Sequence, residues 1–234
     1  MDLRTLYLDA ASLVVELVGL PDVVAAWDRP SALPLMTVGE LASHLSRSVL
    51  QVEHFLDAGP DPSWPVPATA GSYYAVLEGT AEPDSPLNVG VRQRSVEVAG
   101  QGPDAALALV TGCRDRLVPR LGSEPAGRQV MPHGGRALTL DEYLRTRLVE
   151  ICIHRDDLAL SLPQTPIGRV NPAAVAVAVD VLVAAARERN GDAAVLTALS
   201  RRERDHGDAL RVLCASGGAR PSTPRRGPAS RRPG

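Results

Sequence analysis

Lysine is absent from this chain, so every basic side chain is arginine, and 25 basic residues face 27 carboxylates for a formal net charge of only −2. That near-balance gives no global reason to expect nucleic acid or an anionic membrane as partner. Together with abundant Ala, Gly and Pro, the missing lysine reads as a GC-rich coding bias. Aromatic residues are scarce, at two Trp, four Tyr and one Phe, so the core has to be built mostly from Leu, Val and Ala, which favours helices packed on helices. Cys113, Cys152 and Cys214 are far apart and odd in number. They argue against a disulfide framework or a cysteine-type zinc site and fit a reducing cytoplasm. No basic-then-apolar leader opens the chain, because Asp2, Arg4 and Asp9 interrupt it, so a cytoplasmic location is expected. The most apolar run, Ala173 to Ala186, is shorter than the ~18–20 residues of a membrane span and contains Asp180, so it reads as a core helix.

What is present is an ordinary globular composition, 44% apolar and 22% charged over 234 residues, enough to bury a real core in one domain with a small appendage. Leu3, Leu6, Leu13, Val14 and Leu17 recur at helical spacing in a first helix over 2–19, and a short turn follows to Trp27. A loop with Pro30 and Pro34 leads to Thr37, an N-cap whose capping box is completed by Glu40. The second helix then runs over 38–56 with Val38, Leu41, Leu45, Val49, Val52 and Leu56 on one face, as in a helix bundle. A weak helix over 73–77 and a longer one over 91–121, with a break between Gly100 and Pro103, are expected next. Residues 122–138 are Gly- and Pro-rich. Thr139 with Glu142 reads as a second capping box opening a helix to Leu162. Asn171 caps a helix over 172–189 with Pro172 at its first position, and a last helix is expected over 193–204. The stretch 209–215 is ambiguous between strand and helix.

The helix from Thr139 to Leu162 carries the most informative pattern. Tyr143, Arg147, Glu150, His154, Asp157 and Ser161 follow steps of 4, 3, 4, 3 and 4, so they share one face. Leu144, Leu148, Ile151, Cys152, Ile153, Leu158, Leu160 and Leu162 flank them. A polar stripe on an otherwise apolar helix points into a site, because buried ionisable groups need a partner or a metal. Glu150 and His154, at i and i+4, form a two-ligand edge for a divalent cation. Among the remaining histidines, His44 sits beside the apolar stripe of the second helix and can face the interior. His54 lies about 80° away around that helix, His133 is in a glycine-rich loop and His206 lies among charges. His44, Glu150 and His154 are therefore the best three-ligand set, leaving a position open for water or substrate. On spacing alone, core histidines and a solvated Glu–His pair account for the same residues.

The segments MTVGELASHLSR and, about a hundred residues later, LTLDEYLRTRLVEICIHRDDLALSL resemble the mycothiol-dependent maleylpyruvate isomerase family of the DinB-like superfamily. VLTALSRRERDHGDALRVL is similar to the ends of such proteins. The resemblance implies an all-α, up-down-down-up four-helix bundle holding a divalent metal, commonly zinc, on His44, Glu150 and His154. It also implies a thiol cosubstrate, mycothiol, added to a small electrophile, either in isomerisation of maleylpyruvate or in thiol S-transfer. A non-catalytic metal-binding bundle, such as a sensor or stress-linked protein, would need the same ligands. Family members carry a substantial C-terminal domain that contributes to the substrate site. Here some 50 residues follow the fourth bundle helix before the tail, so that part reads as shortened or divergent. This departure bears on maleylpyruvate itself more than on metal binding.

The expected organisation is thus a bundle over 1–163, a short, mostly helical extension over 164–215 and a disordered Arg/Pro/Gly tail over 216–234. Within the site, Arg147 offers a planar fork to a substrate carboxylate or an ion pair to Glu150. Asp157 is placed to accept the free ring N–H of His154 or to act as a surface or capping acid. Tyr143 lines the mouth or simply packs, and Cys152 falls off the seam. The arginines of the tail (Arg220, Arg225, Arg226, Arg231 and Arg232) have no folded or aromatic platform and read as solvated. A homodimer is compatible with the sequence, which carries no pattern that specifies one.

Overall fold

The computed structural model describes residues 1–61, 63–77, 86–132, 135–200, 209, 210, 212 and 213. His133, His206, Cys214, the expected end of the last helix at Arg204 and the arginine tail lie outside the described residues. The elements run α1 (Leu3–Val18), α2 (Pro21–Ala25), α3 (Val38–Asp57), α4 (Ala70–Ala75), α5 (Pro86–Ala99), α6 (Pro103–Ser123), β1 (Gln129–Val130), β2 (Leu138–Thr139), α7 (Leu140–Ser161), α8 (Pro172–Asn190) and α9 (Asp192–Ser200). No described helix is long and apolar enough to cross a membrane.

The helix starts are written in capping chemistry. Asp2 accepts the amides of Arg4 and Thr5 at 3.1 Å each, satisfying two of the donors that open α1. At α3 both halves of the capping box form: Thr37 Oγ1 accepts from Glu40 N at 3.2 Å and Glu40 Oε2 accepts from Thr37 N at 2.7 Å. At α7 only one half does. Thr139 Oγ1 accepts from Glu142 N at 3.2 Å, but Glu142 Oε2 accepts instead from Ala70 N at 2.7 Å. The carboxylate expected to close a local box therefore anchors the start of α4. The break expected between Gly100 and Pro103 separates α5 from α6, with Gly102 at φ +91°, a conformation side chains oppose. The short turn before Trp27 is the five-residue α2. After α6, β1 and β2 form a minimal antiparallel pair, Gln129 opposite Thr139 and Val130 opposite Leu138.

Helices α1, α3, α6 and α7 form the bundle, and side-chain contacts give their directions. His44 meets His154 and Gln51 meets Arg147, so α3 and α7 are antiparallel. Val49, next to Cys113, and Glu53, next to Arg116, make α3 and α6 parallel. Arg4, at the start of α1, pairs with Asp141 at the start of α7 and donates to Leu121 O at the end of α6. The order is up-down-down-up, as the resemblance implied. Between these helices lie Tyr7, Val14, Leu17, Leu41, Leu45, Val49, Leu117, Leu144, Leu148 and Ile151, each at most 1% exposed.

The helix after the bundle has a positioning role. Gly71 lets α4 approach α8 so closely that an added Cβ would stand 2.9 Å from the Ala184 methyl. From the end of α8, Arg189 donates to Tyr74 O at 2.8 Å and Ala75 O at 3.0 Å, at the end of α4, and to Val212 O at 2.7 Å. In this way α8 fixes α4 against α7.

Candidate metal centre

Two helical faces meet to make the site. On α7, Arg147, Glu150, His154 and Asp157 keep the seam of the sequence. On α3, His44 and Gln51 lie across from it. His44 Nε2 and His154 Nε2 stand 2.9 Å apart, and His154 Nε2 lies 3.3 Å from Glu150 Oε2. One ligand atom from each of His44, Glu150 and His154 lies within 4.8 Å of the others.

Both neighbours of the triad leave its inner atoms free. His154 Nδ1 is 2.9 Å from Asp157 Oδ2, so in the neutral ring the proton belongs on Nδ1 and the Nε2 lone pair faces His44 and Glu150. Tyr74 Oη donates to Glu150 Oε1 at 2.6 Å, which occupies one carboxylate oxygen and leaves Oε2 toward the histidines. His44 Nδ1 is buried without a partner among the described residues, so none of them competes for its outward ring nitrogen.

Burial, followed by the neighbouring His154, drives the His44 pKa down to about 3. Burial acts in the same direction on His154. It is outweighed there by the hydrogen bonds and charges of Asp157 and Glu150, which lift the pKa to about 9. For Glu150, burial favours the neutral acid, but the hydrogen bond from His154 and the charge of Arg147 hold the carboxyl well below the usual range.

Two imidazole nitrogens and one carboxylate oxygen are a donor set suited to a divalent ion such as zinc, whose ligand atoms sit roughly 3.3 Å apart in a tetrahedral site. The separations of 2.9 and 3.3 Å fit such a group.

Residues 8–159, which include all three of these side chains, match the family described as the mycothiol maleylpyruvate isomerase N-terminal domain. The chain belongs to that family. Among solved structures, it is similar to the mycothiol-dependent maleylpyruvate isomerase and to a variant of it with one histidine replaced by alanine. In each case the identity is 19%, 78% of this chain and 68% of the other are covered, and the TM-score is 0.49. No curated protein matches.

Around the triad of this isomerase-family chain, the remaining seam residues lie deeper than their spacing suggests. Arg147 is 8% exposed, and its Nε and Nη1 donate to Thr146 Oγ1 at 3.1 Å and Gln51 Oε1 at 3.2 Å. Its guanidinium sits 4.8 Å from the centre of the Tyr143 ring. Tyr143 is 1% exposed, packs edge-on against Phe55 and has no partner for its hydroxyl among the described residues. Ser161 Oγ donates to Asp157 O and accepts from Ala32 N, both at 2.8 Å. Leu160 is 66% exposed and does not flank the site. Sequence reasoning missed Tyr74, which reaches the site from a six-residue helix whose position depends on α8.

Proposed function

We propose that His44, Glu150 and His154 hold a divalent cation, most simply zinc, and that the chain is an enzyme using mycothiol on a small electrophile. The reaction is either isomerisation of the maleylpyruvate type or thiol S-transfer. The observation that carries this reading is the convergence of two Nε2 atoms and a carboxylate oxygen, from two antiparallel helices, inside the segment that matches the isomerase family. Three protein ligands leave a coordination position for a reactant, the pattern of catalytic sites. A bound cation of this kind supplies a Lewis-acid centre that favours a thiolate over a thiol and polarises a carbonyl.

The chain's own residues prepare the site. Asp157 orients the His154 ring and keeps its inner nitrogen available. Tyr74 restrains Glu150 to one inward-facing oxygen. Arg147 adds a fixed positive charge that keeps Glu150 ionised, while its own donors remain tied to Thr146 and Gln51. The bundle over 1–163 contributes the triad, and the extension over 164–215 supports it through the hold of α8 on α4.

The test is to incubate zinc-loaded protein with mycothiol and a panel of electrophiles that includes maleylpyruvate. Turnover of at least one compound, dependent on both zinc and thiol, is expected. No turnover across the panel with zinc bound would instead leave a non-catalytic metal-binding bundle.

A further inference from the structure

On α3, His44, Arg47 and Gln51 follow steps of three and four, so they share a face. His44 meets His154 and Gln51 meets Arg147 on the antiparallel α7. That register sets Arg47 across from Glu150. Even so, Arg47 makes no hydrogen bond or ion pair among the described residues. The Glu150 oxygens are engaged by Tyr74 and His154. The other cations acting on Arg47 are Arg94, from α5, and Arg147, from α7. Burial and then these two like charges draw the Arg47 pKa down to about 10, outweighing the opposite pull of Tyr143 and Glu150. Arg94 itself has a buried Nε with no partner among the described residues.

The arginines of the site therefore divide into two kinds. Arg147 is spent inside the protein on Thr146, Gln51 and the Tyr143 ring. Arg47 is half-buried with its donors uncommitted, one helical turn from a metal ligand. Positive charge withdrawn from water is costly without a counter-charge. A guanidinium fork also matches a carboxylate through two parallel N–H···O bonds. We infer that Arg47, with Arg94 beside it, forms a carboxylate subsite next to the triad that selects an anionic electrophile. The inference rests on the thiol-dependent reading above and assigns carboxylate recognition to α3 and α5 instead of Arg147.

The test compares maleate with its uncharged diamide on the zinc-loaded protein, in the parent, Arg47→Gln and Arg47→Lys. Binding is read by calorimetry and turnover by mycothiol consumption. Arg47 has no hydrogen-bond partner to orphan among the described residues, so neither variant should unfold at a lower temperature than the parent. Expected is maleate binding weakened about 10- to 100-fold in Arg47→Gln, with a smaller loss in Arg47→Lys and an unchanged diamide. Equal losses for maleate and diamide, undiminished maleate binding in Arg47→Gln, or no maleate binding by the parent overturns the subsite. Inorganic phosphate bound as tightly as maleate overturns its assignment to carboxylates. Charge-selective binding without turnover would sink the enzymatic reading and leave the subsite standing, whereas turnover without charge selectivity does the reverse.

Discussion

His44 and His154 are 110 residues apart in the chain, yet their Nε2 atoms are 2.9 Å apart. That proximity depends on α3 and α7 packing antiparallel in a register that also brings Gln51 to Arg147. Each helix starts at a threonine cap, Thr37 or Thr139, so the register is set partly by chemistry well outside the site.

The hydrogen bond from Tyr74 to Glu150 makes the short α4 part of the site. Tyr74→Phe is expected to weaken zinc binding about 10- to 100-fold, as losses of such supporting bonds do. It should also cost the metal-free protein about 1–3 kcal/mol by leaving Glu150 Oε1 without its donor. Competition with a chromophoric chelator and chemical denaturation measure the two effects. Unchanged zinc affinity would show that Glu150 does not need this restraint.

Opposite pKa shifts on the two histidines should make their joint contribution to the stability of the metal-free protein peak near pH 6.5, read as urea midpoints across pH. The raised pKa of His154 means its stabilisation is complete below about 6.5 and is lost as pH climbs toward about 9. The depressed pKa of His44 means the neutral buried ring stabilises above about 6.5, and this is lost as pH falls toward about 3. At pH 7 zinc has to displace the His154 proton. Calorimetry in buffers of different ionisation enthalpy should therefore show about one proton released per zinc at pH 7 and little above pH 9. A heat of binding independent of buffer at pH 7 would contradict this.

Gly39 lies under the Trp27 ring, where an added Cβ would come within 2.5 Å of the indole. Gly39 N also donates to Trp27 O at 2.8 Å, and Trp27 Nε1 donates to Ala99 O at 3.1 Å at the end of α5. Gly39→Ala is expected to destabilise by about 1–3 kcal/mol through overpacking, because the ring cannot retreat without breaking that bond. Equilibrium unfolding in urea measures it, and a loss below about 0.5 kcal/mol would mean the indole moves freely.

Local chemistry made much of this legible in the sequence. The Thr37–Glu40 box, the 3–4 apolar spacing of α3 and the polar seam of α7 each depend on residues within a few turns of one another. Together with the family resemblance, they yielded the bundle and the grouping of His44 with Glu150 and His154. What escaped depends on topology. Glu142 looked like half of a local box, but its carboxylate serves α4. Tyr74 reaches Glu150 only because Gly71 and Arg189 dock α4 onto α8, and no periodicity in a six-residue helix signals that. Arg147 and Arg47 are both arginines on inward faces. Only the three-dimensional partners of Arg147 show which of the two has its donors free.

The most direct measurement is the metal content of the purified protein beside His44→Ala and His154→Ala variants, with circular dichroism confirming that each remains helical. The parent should carry stoichiometric zinc and both folded variants should lose it. Stoichiometric zinc persisting in both would contradict the assignment of the centre to these side chains.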